Sequence, residues 1–271
     1  MGRPKHSHWQ PRLAMLLIAL SLAWPLLAQE KPPPTSLEAL SVAPAAVELR
    51  AVAGQALEQE FFIVNNTAAT LEFVVEPLDV EIVAHARTYH PAGKLPAGLA
   101  ERVFINPAKL QVPPKERARV TVVFTVPEGT SQRAVVILFR SYVPPSEVPL
   151  EGVGINLGLG ALVSFRLGDE HEIVIRSTQV DLPTETTNLT FRAELINTGK
   201  DPAVVDGIVG IMRAGQLVAR TKLSNTRLLP DEVASVTGEL LEPLAPGEYT
   251  AVYSLAAAGK SATKVVSFRI L

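Results

Sequence analysis

Cysteine is absent from all 271 residues. That excludes a disulfide framework, a lipid-modified N-terminal cysteine and a thiol nucleophile. Tryptophan occurs only at Trp9 and Trp24, and beyond residue 28 histidine occurs only at His85, His90 and His171. Three scattered imidazoles do not make a metal-ligand pattern. No Gly-x-Ser-x-Gly elbow is present. Gly259-Lys260-Ser261 has Ser254 where a phosphate-binding loop needs glycine, and a strand-like run follows, so it reads as a hairpin turn. Apolar runs long enough for a membrane span, about 18 residues, are also missing, and no helical periodicity of useful length follows the N-terminal region. No residue set supports a hydrolase. The expectation is a protein that is not an enzyme and has no cofactor or metal.

What is present begins with a processing signal. Arg3, Lys5 and Arg12 precede an apolar run, Leu13–Leu27, and Ala28 offers a cleavage point, so residues 1–28 read as a signal peptide. An uncleaved anchor is the alternative. Residues 29–39, with Pro32-Pro33-Pro34, read as an extended tether. Without residues 1–28, 22 of the 25 Lys+Arg remain against 27 Asp+Glu, a net charge of −5. That balance argues against a nucleic-acid partner. No second membrane segment appears, so no membrane insertion is expected after cleavage, and the location is periplasmic, secreted or cell-envelope.

The remainder is all-β in pattern. Ala56–Val64, Leu71–Ile82, Arg117–Val126 and Arg133–Val143 are β-branched or alternating runs closed by Asn, Pro and Gly. Leu40–Val52 carries Pro44, which suits an edge or a kink. His85–Ala100 reads as a long loop and Pro144–Pro149 as a proline-rich one. After a linker at 168–171, seven further candidate strands run from Ile173 to Ile270. Short strands with frequent turns indicate two tandem immunoglobulin-like β-sandwiches, at 40–168 and 169–271. The halves look duplicated. Pro114, Glu116, Ala118, Val120 and Thr121 match Pro230, Glu232, Ala234, Val236 and Thr237 at a constant offset of 116, and Asn66-Thr67 is matched to Asn197-Thr198. Arg213, Arg220, Lys222 and Arg227 read as a solvated basic stripe.

The most informative stretch is Gly152–Leu167. Every odd position is apolar, among them Val153, Ile155, Leu157 and Leu159, while Gly152, Gly154, Gly158 and Gly160 occupy even ones. Strict alternation means one strand with one apolar face. At about 3.3 Å per residue it spans roughly 50 Å, longer than a sandwich core needs. The excess is an edge on which another chain could pair, so Val153, Ile155, Leu157 and Leu159 are candidate partner-strand contacts. The alternatives are a structural or adhesive envelope module with this strand buried in its own sandwich, and a hydrolase.

Residues 40–168 resemble the PapD-like periplasmic pilus-assembly chaperones. The similar pieces are Ser41–Gly54, Phe62–Thr67, Arg102–Pro107, Leu110–Pro127 and the alternating strand ending in Phe165-Arg166. The resemblance implies two immunoglobulin-like domains, an extracytoplasmic protein subunit as partner, and β-strand addition in which the four apolar residues are lent to that subunit. It also implies a basic pair in the interdomain cleft. Those positions carry Ala46 and Ala161 here, and Arg50 and Arg166 are the nearest basic residues and the candidate cleft anchor.

Overall fold

Alternating burial along each strand organises two stacked pairs of sheets. The computed structural model describes residues 39–143 and 155–271, and the side chains of 142, 143, 155 and 156 are not among those described. The proposed signal, nearly all of the tether, the proline-rich loop and Val153 therefore lie outside the described residues.

The first sandwich contains β1 (Leu40–Ala43), β2 (Ala46–Arg50), β3 (Ala56–Asn65), β4 (Leu71–Val83), β5 (Ala86–Pro91), β6 (Val103–Asn106), β7 (Lys109–Val112), β8 (Arg117–Thr125), β9 (Ala134–Val143) and β10 (Ile155–Arg166). One sheet has the order β1-β3-β8-β6. The other runs β2-β10-β9-β4-β5, with β7 also on β4. Pro44 divides the opening run, so β1 joins one sheet and β2 the other. The second sandwich contains β11 (Ile173–Asp181), β12 (Leu189–Asn197), β13 (Ala203–Arg213), β14 (Gln216–Leu228), β15 (Val233–Leu240), β16 (Gly247–Ala257) and β17 (Lys260–Ile270). Its sheets are β11-β12-β15 and β14-β13-β16-β17. The fold is all-β, two tandem immunoglobulin-like sandwiches.

Each sandwich has its own core. Phe61, Phe73, Phe124, Phe139 and Phe165 are buried in the first, with the Phe124 and Phe165 rings edge to face at 5.4 Å. Each such side chain contributes roughly 1.5–3 kcal/mol by leaving water. Phe191, Leu195, Ile211 and Tyr253 are buried in the second. Tyr249, near the start of β16, donates its hydroxyl to the Ala245 carbonyl at 2.6 Å, the tyrosine corner seen in immunoglobulin-like domains.

The internal repeat is visible in three dimensions. Lys115 and Asp231 sit at the same place in the Pro-x-Glu turn, and both have φ of 63°. The amide of Asn65 donates to the Glu116 carbonyl at 2.9 Å, and that of Asn197 to the Glu232 carbonyl at 3.2 Å. Both asparagines are buried. Asn65 Nδ2 donates to the Val112 carbonyl and Asn197 Nδ2 to the Leu228 carbonyl. The asparagine equivalent to Asn197 is thus Asn65, one residue before the Asn66 chosen from sequence.

The region from His85 to Ala100 is not all loop. β5 pairs with β4 from Val83↔Ala86 to Leu78↔Pro91. The hairpin turns on Ala84 and His85, with φ of 49° and 67°. Neither is among the residues that usually occupy such a turn, which is why composition hid it. The segment that follows is tied down by Asp79, whose buried carboxylate accepts the Ala100 amide at 2.8 Å. A Cβ on Gly98 would lie 2.2 Å from Asp79 Oδ2. Gly98→Ala should therefore destabilise the protein by about 1–3 kcal/mol, the usual cost of overpacking, measurable as a lower urea midpoint at unchanged slope.

Candidate functional site

The site is built on β10. It pairs antiparallel with β9 from Ile155↔Val143 to Ser164↔Ala134. On its other side β2 runs parallel to it, but only from Leu162↔Ala46 to Arg166↔Arg50. Among the described residues, no strand pairs with that side of residues 155–161.

Hydrogen-bond direction shows which groups this leaves open. The Leu162 amide donates to the Ala45 carbonyl at 3.0 Å, and the Arg166 carbonyl accepts the Ala51 amide at 2.9 Å. Even-numbered peptide groups therefore point toward β2. Phe165, an odd residue, donates to Arg133 on the β9 side. Because a strand alternates sides residue by residue, the N–H and C=O groups of Gly158 and Gly160 face the open edge. Those of Leu157 and Leu159 are directed at β9.

Side chains alternate between the two faces in the same way. Ala161, Val163 and Phe165 are buried in the first core, and Leu157 and Leu159 are half-buried against it. Of the four apolar residues expected to meet a partner, these two thus have their side chains against their own core, without being fully buried by it. Ile155 is described in its backbone alone, as the partner of Val143. The opposite face carries exposed Gly158 and Gly160, then buried Leu162 and Ser164. Two of the glycines have a packing role. A Cβ at Gly160 would lie 3.0 Å from Val136 Cγ1 and one at Gly158 3.3 Å from Leu138 Cδ1. Side chains of β9 thus lean across the positions where β10 has none.

Arg50 and Arg166 are brought together as register partners on β2 and β10. They share Asp169, at 3.9 Å and 3.8 Å, and Arg166 Nε is 3.8 Å from Glu48 Oε1. Separations of this size in partly exposed pairs hold little energy. Ala46 lies beside Leu162, and Ala161 faces the core.

Two other arginines belong to the cleft between the sandwiches, and sequence reading missed both. The cleft has a volume of about 650 Å³ and is lined by Ala46, Leu78, Tyr89, Gly160, Arg87 and Arg227, among others. Arg227 is not part of a solvated stripe. Its Nη1 donates to Ser164 Oγ at 2.6 Å and lies 3.7 Å from Glu48 Oε2. Burial lowers the guanidinium pKa, Glu48 opposes that, and the charge of Arg87 adds to it. Arg213 stays exposed, as a residue of that stripe should, and packs over the Tyr249 ring at 5.4 Å.

No family profile matches the sequence, and no curated protein does. Solved structures do match. The YadV chaperone is 8% identical, with 85% of this chain and 100% of that chain covered and a TM-score of 0.40. The class 5 fimbriae chaperone CfaA is 13% identical, covering 86% and 99%, with a TM-score of 0.42. A Salmonella enterica complex of the SafA pilin with the SafB chaperone matches at 10% identity, covering 85% and 96%, with a TM-score of 0.39. Each of these matches is to a chaperone or to a complex that contains one. Among the described residues, no group of three or more metal-ligating side chains is assembled, and no helix is long and apolar enough to cross a membrane.

Proposed function

We propose that this protein is an exported, non-catalytic, chaperone-like factor that holds an extended strand of an extracytoplasmic protein subunit on the open edge of β10. The observation that carries this is the mismatch between the two sides of that strand. β9 pairs along it from Ile155 to Ser164, whereas β2 begins only at Leu162. A strand added there continues the line of β2 and takes up the peptide groups of Gly158 and Gly160. Each such hydrogen bond is worth about 0.5–1.5 kcal/mol net. A fully buried leucine or isoleucine is worth roughly 1.5–3 kcal/mol; Leu157 and Leu159 are already half-buried, so completing their burial adds about half of that for each, a contribution of the same order as the hydrogen bonds. Val153 and Ile155 continue the same apolar parity in sequence. Arg50 and Arg166, side by side where β2 closes the edge, are the proposed anchor there. The signal-like residues 1–28 support export to the periplasm or cell envelope.

The half-burial of Leu157 and Leu159 in their own sandwich favours a second reading, a structural or adhesive envelope module. Amide hydrogen exchange separates the two. Gly158 and Gly160 should exchange rapidly in the free protein and slow down when the partner recovered from the native envelope is added. Leu157 and Leu159 should be slow in both states. Slow exchange at both glycines in the free protein would leave only the structural module.

A further inference from the structure

The duplicated turn provides an internal control, because the same local structure occurs once exposed and once buried. In the first sandwich, Pro113 and Glu116 are exposed. Their counterparts in the second, Leu229 and Glu232, are 3% and 7% exposed. The turn conformation is the same, with the middle residue at φ of 63° in both copies. Folding of the turn therefore does not require the burial. What differs is that the second copy is pressed into the first sandwich.

The contacts are specific. Leu229 packs among Val80, Ala134, Val136 and Leu162, residues of β4, β9 and β10. The Glu232 carboxylate faces Arg87 of β5, with Nε 2.8 Å from Oε1 and Nη2 donating to Oε2 at 2.9 Å. Arg87 Nη2 also donates to the Arg227 carbonyl at 2.8 Å. His85, at the turn between β4 and β5, meets the Asp231 carbonyl through Nδ1 at 2.9 Å, and its own carbonyl accepts the Val233 amide at 3.0 Å. The geometry points to a latch. We infer that the Leu229–Val233 turn of the second sandwich pins it to the β4–β5 hairpin and the outer face of β10, and that the Arg87–Glu232 pair is the pin. The pair combines one charge-assisted hydrogen bond, from Arg87 Nη2, with a close approach of Nε to the other carboxylate oxygen, and Glu232 Oε2 also accepts the Leu229 amide at 2.8 Å. The latch fixes the angle of the cleft and holds the covered half of β10, Leu162 and Ser164, while the half before it stays open. This inference does not depend on what the open half binds.

The test is hydrogen exchange on the full mature chain. The Val233 amide reports the joint, since its acceptor belongs to the first sandwich. The Asn197 amide reports the fold of the second, since its acceptor is the Glu232 carbonyl. Glu232→Gln should speed exchange at Val233 by about tenfold or more and leave Asn197 within about twofold. Glu116→Gln, the same change in the exposed copy, should alter neither. Arg87→Gln, which removes the pin from the other side and leaves the second sandwich's sequence intact, should reproduce the Val233 effect. If Glu232→Gln also disturbs Asn197, the Arg87 variant decides. Unchanged Val233 exchange in Arg87→Gln overturns the latch.

Discussion

Asp201→Ala should lower stability by about 3 kcal/mol, near the upper end of what losing a buried hydrogen-bonding group costs. For a chain of this size that is a fall in melting temperature of roughly 6–12 °C. The Asp201 side chain is only 3% exposed. Its carboxylate accepts three backbone amides at the junction between the sandwiches: Leu167 at 2.9 Å, and Gly168 and Glu170 at 3.1 Å. Arg133 of the first sandwich is 3.8 Å away and also donates to the Lys200 carbonyl at 2.9 Å. Alanine leaves three amides facing an apolar methyl group in place of their acceptor. Burial by itself raises this carboxyl group's pKa, but the amides of Leu167, Glu170 and Gly168 and the charge of Arg133 outweigh it, so the value lies below the usual 3.8. The folded state therefore holds the proton less tightly than the unfolded one. The contribution is fully present above the unfolded value and is lost as pH falls through the lower, folded one. Calorimetry should show the difference between the parent and Asp201→Ala constant from pH 5 to 8 and shrinking only below about pH 4. A difference that disappears near neutrality would mean that another group governs the junction.

What could be read from sequence followed a physical rule. Period-two alternation is dictated by backbone geometry, so β8 and β10 were legible from Arg117–Val126 and Gly152–Leu167. The β4–β5 hairpin was not, because Ala84 and His85 adopt left-handed conformations that neither residue advertises. The role of the glycines in β10 was legible only in part. Alternation places them on one face, and only the fold shows that Val136 and Leu138 from the same sheet lie over Gly160 and Gly158. The latch could not have been found by pattern. Glu116 and Glu232 occupy matching positions in matching motifs, and only the fold shows that one meets solvent and the other meets Arg87. Arg227 was misread for the same reason. Spacing places it on a stripe with Arg220 and Lys222, but the second sandwich turns that end of β14 toward Ser164 and Glu48 of the first.

Gly158→Pro should separate the open edge from the rest of the strand. The Gly158 amide points away from β9, so proline removes no bond from the β9–β10 ladder. Edge positions of this kind are where sheets accept proline. A Cβ there would sit 3.3 Å from Leu138 Cδ1, at the end of a side chain that can shift. Folding should therefore survive, with a loss of stability of about 1 kcal/mol or less. Binding should not survive equally well. The substitution deletes one donor and fills the edge with a ring, removing one ladder bond and forcing its neighbour out of register. Affinity for the partner recovered from the envelope should fall about ten- to a hundredfold, which corresponds to roughly 1.4–2.8 kcal/mol. Leu159→Glu should weaken binding at least as much, but it also disturbs the half-buried core face and so cannot isolate the edge. Proline at 158 can. A variant that melts like the parent and binds its partner like the parent would show that residues 155–161 are not where the partner strand lies.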